Sequence, residues 1–81
     1  MKLLNNKLCI ITGASGEIGM ACAKLLYKNN ANLILIYNKN KKNVDSFSKN
    51  KKGSVFSYKC DLTKLKEIKS LYKKINKKFP N

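Results

Sequence analysis

The chain has 81 residues, which bounds it to a single small domain with a limited apolar core. A hydrophobic fraction of 43% excludes wholesale disorder, and a net charge of +14 rests on lysine alone, with no arginine and no histidine. The missing residue types exclude a Ser-His-Asp triad, leave a zinc site without a ligand set, and argue against base-reading of nucleic acid, where the planar arginine fork is the usual tool. The lysines then read first as solvated faces, with an anionic partner as the lesser alternative.

Cys9, Cys22 and Cys60 are odd in number and widely spaced. Each stands in an apolar stretch, which predicts reduced, buried thiols and a cytoplasmic protein. Met1-Lys2-Leu3-Leu4 is interrupted by Asn5, Asn6 and Lys7, and the apolar run that follows is short, so neither a secretory leader nor a membrane span is expected.

In chain order, Leu8-Cys9-Ile10-Ile11 is a continuous apolar run ending at Thr12-Gly13, which predicts a strand buried on both faces of a parallel sheet. Gly13-Ala14-Ser15-Gly16 forms a turn. Ile18, Ala21, Cys22, Leu25 and Leu26 then recur at helical spacing, which predicts an amphipathic helix closed by Asn29-Asn30. Leu33 to Tyr37 predicts a second buried strand, and Asn38 to Asn43 a polar, basic loop. Val44 and Phe47 hint at a short helix, and Lys49 to Gly53 is another loop. Val55 to Tyr58 predicts a third strand, leading to Cys60-Asp61-Leu62. Thr63 is placed to cap a third helix, whose stripe is Leu65, Ile68, Leu71, Tyr72 and Ile75, and the chain ends at Phe79-Pro80-Asn81.

This order is α/β, β-α-β-α-β-α, one half of a doubly wound parallel sheet. In such sheets the first strand lies centrally, so Leu8 to Ile11 is expected to present an open edge, and the segment reads as incomplete.

The chemistry concentrates in Thr12-Gly13-Ala14-Ser15-Gly16-Glu17-Ile18-Gly19, between a strand and a helix. Gly13 suits a tight turn, Gly16 a close backbone approach to a pyrophosphate, and Gly19 close packing of helix on sheet. The free amides and the helix dipole favour a phosphate there. A strand-to-helix turn with no ligand is the plain alternative.

These residues resemble the short-chain dehydrogenase/reductase family, whose signature after the first strand is Thr-Gly-x-x-x-Gly-x-Gly. The resemblance covers the whole chain and is strongest to bacterial 3-oxoacyl-[acyl-carrier-protein] reductases. It implies a partial NAD(P)-binding Rossmann domain over residues 1–81. Cofactor contacts are implied at Gly13, Ala14, Ser15, Gly16, Ile18, Tyr37, Asn38, Lys39, Asp61 and Leu62. Cys60-Asp61-Leu62-Thr63 resembles the family element that holds the adenine; the alternative for Asp61 is a carboxylate that only helps start the third helix. One departure stands out. Glu17 occupies the place of the commonest middle glycine, and Gly16 supplies a glycine one residue earlier, as in the family's extended branch. A carboxylate beside a pyrophosphate is unfavourable unless it points away.

NAD binders place an acid about 20 residues past the glycines. Here Tyr37-Asn38 stands at that point, no acid follows before Asp45, and Lys39, Lys41 and Lys42 do follow, which favours NADP over NAD. The same lysines also fit an ordinary solvated surface. The family's catalytic Tyr-x-x-x-Lys pair, with its serine and asparagine, lies further along the family chain. Tyr37 and Lys41 match the pair formally, but they leave a strand, and the pair needs one helix face.

Three readings follow. The first is the cofactor-binding segment of a short-chain oxidoreductase, inactive alone, whose parent reduces a small-molecule or acyl-carrier-bound carbonyl. The second is a non-enzymatic nucleotide-binding remnant, and the third a basic nucleic-acid-binding peptide.

Overall fold

The computed structural model describes residues 5–79. Met1 to Leu4 and Pro80-Asn81, on which the leader and chain-end readings partly rest, lie outside the described residues. The elements are β1 (Leu8–Thr12), α1 (Glu17–Lys28), β2 (Asn32–Tyr37), α2 (Lys41–Ser48), β3 (Val55–Lys59) and α3 (Leu65–Lys78). The expected order of strands and helices is therefore present.

The three strands form one parallel sheet in the order β1-β2-β3. β2 is central, with Ile34 opposite Ile10 on one side and Phe56 on the other. Its run of branched and aliphatic side chains suits a strand covered on both faces. Successive residues alternate between two cores. Leu33, Leu35 and Tyr37 pack with Ala23 of α1, Val44 of α2 and Val55, whereas Ile34 and Ile36 pack with Cys60 and Leu71 of α3. α1 and α2 thus cover one face and α3 the other. The chain changes face after β3, which places the point where a doubly wound sheet reverses its strand order beside β1.

Several sequence expectations need correction. β1 is not buried on both faces: Ile11 is buried, but Ile10 is 54% exposed and Leu8 is exposed as well. The open edge expected of β1 is present, since β1 ends the sheet among the described residues and only one of its edges is paired. The buried side of α1 is Gly19, Met20, Ala23, Leu26 and Tyr27, while Ile18 (82%) and Leu25 (61%) face outward with Ala21 and Cys22. The helix is apolar around most of its circumference, so spacing alone admits two stripes. The small residues Gly19 and Ala23 decide between them by allowing a close approach. Along α3, Leu71 is buried and Ile75 partly so, but Leu65, Ile68 and Tyr72 are exposed. Of the cysteines Cys60 is buried, Cys9 half-buried and Cys22 exposed, so burial is not common to all three.

The polar loop predicted over Asn38 to Asn43 is shorter than expected. Asn40 takes a left-handed conformation (φ 57°) and α2 starts at Lys41. Asparagine tolerates this region better than most residues. Asn29-Asn30 does close α1. Asn30 (φ 73°) donates its N–H to the Tyr27 carbonyl at 2.9 Å, and Ala31 donates to Leu26 at 3.1 Å. That pair of bonds is the Schellman arrangement, with asparagine where glycine is commoner.

Candidate functional site

The turn between β1 and α1 holds Gly13 and Gly16, with Gly19 in the first turn of the helix, and the structure requires glycine at only two of the three. Gly13 has φ +60°, a conformation L side chains rarely adopt, although a Cβ there would meet nothing within 4 Å. Conformation rather than space demands glycine at that position. Gly19 is the reverse case. Its Cβ would overlap the Gly13 carbonyl oxygen and lie 2.9 Å from the Ala14 Cα. The first turn of α1 therefore packs against the backbone of the glycine turn, a closer neighbour than the sheet itself. Gly16 needs neither device, since its Cβ would make only an ordinary 3.5 Å contact with the Gly13 oxygen. Nothing inside the chain requires glycine there.

The amides of the turn divide into two sets. Ala14, fully buried, donates to the Ile36 carbonyl at 3.1 Å and extends the β1–β2 ladder, and Gly16 donates to Gly13 at 3.2 Å. Gly16 is the N-cap of α1, offers no side-chain cap, and its carbonyl accepts from Met20 at 2.9 Å. Among the described residues, the amides of Ser15, Glu17, Ile18 and Gly19 make no hydrogen bond within the chain. A helix N-terminus with open first-turn amides carries partial positive charge and accepts an anion. The exposed Glu17 carboxylate sits in that turn and lines a shallow groove of about 350 Å³ with Ser15, Gly16, Lys24 and Asn43.

Asn43 is a residue that sequence reasoning missed. From the first turn of α2 its Nδ2 donates to the Ser15 carbonyl at 3.2 Å, tying the glycine turn to the second helix. The partners are 28 residues apart, so no local pattern announces the contact.

The second cluster follows β3. Cys60 donates its N–H to the Tyr37 carbonyl at 2.8 Å, which keeps the ends of β2 and β3 together. Asp61 then makes an Asx turn: its Oδ1 accepts from the Thr63 N–H at 2.9 Å and from the Thr63 hydroxyl at 2.6 Å. Thr63 is therefore not the cap of α3. The N-cap is Lys64, which forms no side-chain cap bond, and Thr63 serves Asp61 instead. The Thr63 bonds, followed by the charges of Lys64 and Lys39, hold the Asp61 carboxyl below its ordinary range. Burial, then the charges of Glu67 and Asp61, push the Cys60 thiol up.

Most of the proposed contact residues gather at the carboxyl ends of the three parallel strands: Gly13 to Gly16 follow β1, Tyr37 ends β2 with Asn38 and Lys39 after it, and Asp61-Leu62 come after β3, while Ile18 lies in the first turn of α1. Asn38 and Lys39 are exposed, and the pairing of Tyr37 with Lys59 and the Cys60 N–H bond to the Tyr37 carbonyl make the exits of β2 and β3 neighbours. Ile18 and Leu62 are exposed, Ser15 is half-buried, and Tyr37 is buried in the core between sheet and helices. Tyr37 ends β2 and Lys41 begins α2, so the formal Tyr-x-x-x-Lys match does not share a helix.

Comparison with known proteins matches the sequence to one family. The sequence model of the family described as short chain dehydrogenase matches residues 7–81. A short chain dehydrogenase/reductase, dpfgG, of Gibberella zeae is 32% identical over 77 residues, covering 94% of this chain and 28% of the fungal protein. Among solved structures, a Bacillus thuringiensis protein assigned as a 3-oxoacyl-reductase superposes with a TM-score of 0.79 at 13% identity, over 93% of this chain and 32% of the bacterial one. At that identity the likeness is one of fold. The chain spans about a third or less of the length of the relatives it matches.

Proposed function

Because the chain belongs to the short-chain dehydrogenase family, we propose that it is the partial Rossmann domain through which an NAD(P)-dependent oxidoreductase holds its cofactor, with NADP preferred. The observation that carries this reading is the set of open amides at Ser15, Glu17, Ile18 and Gly19, set behind a turn that Gly13 and Gly19 make possible. The residues fit a dinucleotide. The N-terminus of α1 suits a pyrophosphate, and Gly16 leaves clear backbone with no internal need for glycine. Asp61 keeps its Oδ2 outside the Thr63 bonds, so it can accept from an adenine amino group, and the Leu62 N–H makes no bond among the described residues. Tyr37-Asn38 stands where NAD binders carry an acid, and the exposed Lys39 follows directly, which favours a 2′-phosphate.

The bound cofactor would supply hydride chemistry between its nicotinamide and a carbonyl or alcohol carbon. The substrate class we propose is a 3-oxoacyl thioester on acyl carrier protein. These 81 residues hold no catalytic set, so the chain alone is expected to bind without turnover, and purified chain that reduces a 3-oxoacyl substrate with NADPH would refute that part. No helix among the described residues is long and apolar enough to cross a membrane. Separately, three widely spaced cysteines that offer no disulfide framework lead us to propose a cytoplasmic protein.

Calorimetric titration tests the reading. NADPH is expected to bind more tightly than NADH, and Lys39→Glu to abolish or reverse the preference. Absence of heat with both dinucleotides, for a chain shown to be folded, would overturn it.

A further inference from the structure

The turn after β3 carries a residue whose position the adenine-contact reading leaves unexplained. Glu67, in the first turn of α3, sends its Oε1 back to accept the Asp61 N–H at 2.9 Å, six residues away. Its Oε2 and the Asp61 Oδ2 share the Lys64 ammonium, each at 3.9 Å. With the two Thr63 bonds, Asp61 is thus held at its backbone by Glu67 and at its Oδ1 by Thr63. An acidic residue reaching past the cap to an upstream amide resembles a capping box, stretched so that it locks the Asp61-Leu62 dipeptide rather than the cap itself.

We propose that Glu67 is a positioning residue for base recognition: its bond to the Asp61 amide fixes the Asp61 acceptor and the Leu62 donor side by side, and so sets a preference for adenine over a 6-oxo purine. This rests on the adenine-contact reading above. The chemistry is directional. Adenine offers an amino donor beside a ring-nitrogen acceptor, the complement of carboxylate Oδ2 and Leu62 N–H. Hypoxanthine offers a carbonyl acceptor beside an N–H donor and meets both groups with the wrong sign. Such a mismatch discriminates only if the two protein groups stay in register, because polar groups left unpaired carry the penalty. Glu67 touches neither group's partner and acts through the Asp61 backbone.

The test compares affinities of the 81-residue chain for NADP+ and for its hypoxanthine analogue. Wild type is expected to favour NADP+ by about tenfold, the value of one well-placed hydrogen bond. Glu67→Gln keeps an oxygen able to reach the Asp61 amide, and the preference should hold within about twofold. Glu67→Asp keeps the charge but is a methylene too short, and the preference should fall about fivefold or more, as in Glu67→Ala. The opposite pattern, Asp retaining the preference and Gln losing it, would show that charge alone matters and would overturn the proposal. So would an unchanged preference in all three variants, or equal losses of affinity for both dinucleotides, which mark a structural role only. A folded wild-type chain that binds neither dinucleotide overturns the nucleotide reading and this inference with it. Binding of both without preference overturns the inference alone.

Discussion

The two faces of the sheet are built differently. On the α1/α2 face, Leu33, Leu35, Val44 and Ala23 are fully buried, and half-buried Met20, Leu26, Tyr27 and Phe47 close around them. On the α3 face, Ile34, Ile36, Cys60 and Leu71 form a smaller core, while Ile10, Leu62, Ile68 and Tyr72 line an apolar groove that stays open. What the α3 face lacks in apolar cover it partly replaces by polar bonds, the Asp61–Thr63–Glu67 set at the start of the helix. The lesson is that the apolar pattern of a short α/β segment is satisfied face by face. The glycine turn sits above the face that is complete.

The largest test of this contrast is Leu35→Ala. A fully buried leucine on the complete face should cost about 2–5 kcal/mol when truncated, read as a fall in the urea midpoint. Ile10→Ala at the open edge should cost under about 1 kcal/mol, and equal losses would mean that the two faces are alike.

Next comes Gly19→Ala. The added methyl has to displace the backbone of Gly13 and Ala14, at about 1–3 kcal/mol, and nucleotide affinity should fall with stability. Gly16→Ala should leave stability within about 0.5 kcal/mol yet weaken binding. A pair of variants that move together in both measurements would show that Gly16 is structural.

A smaller effect is expected from acid. The Asp61 carboxyl is held below its ordinary value of 3.8 in the folded chain. A group with a lowered native pKa contributes stability that is fully present above the unfolded pKa and is lost as pH falls through the native one. The gap in urea midpoint between wild type and Asp61→Asn should therefore stay constant from neutral pH to about 5 and shrink below about 4. A gap that grows as the pH falls would contradict the assigned bonds. The smallest change is expected from Ile18→Ser on the outward side of α1, within about 0.5 kcal/mol, because that side chain covers nothing in the described structure.

Much of this architecture is legible in the sequence because the signals are local. Leu33 to Tyr37 is an unbroken apolar run, and Thr12 to Gly19 carries its glycines at the junction of two periodicities. The buried sides of α1 and α3 were less legible. An apolar helix offers more than one stripe, and the choice depends on which small residues face the sheet. Thr63 misleads for a related reason: it has the chemistry of a cap, but the Asp61 carboxylate two residues earlier claims both its N–H and its hydroxyl. Asn43 and Glu67 escape sequence reading altogether, since their partners are set by how helices dock on strand ends.

Everything functional in this account depends on the open amides that begin α1. Amide resonances of the 81-residue chain, followed during titration with NADPH, report on them individually. Saturable shifts at Ser15, Glu17, Ile18 and Gly19, larger than those along the outward side of α3, are the expected result. Shifts confined to the lysine-rich surfaces, with those four amides unmoved, would mean that the turn holds no dinucleotide.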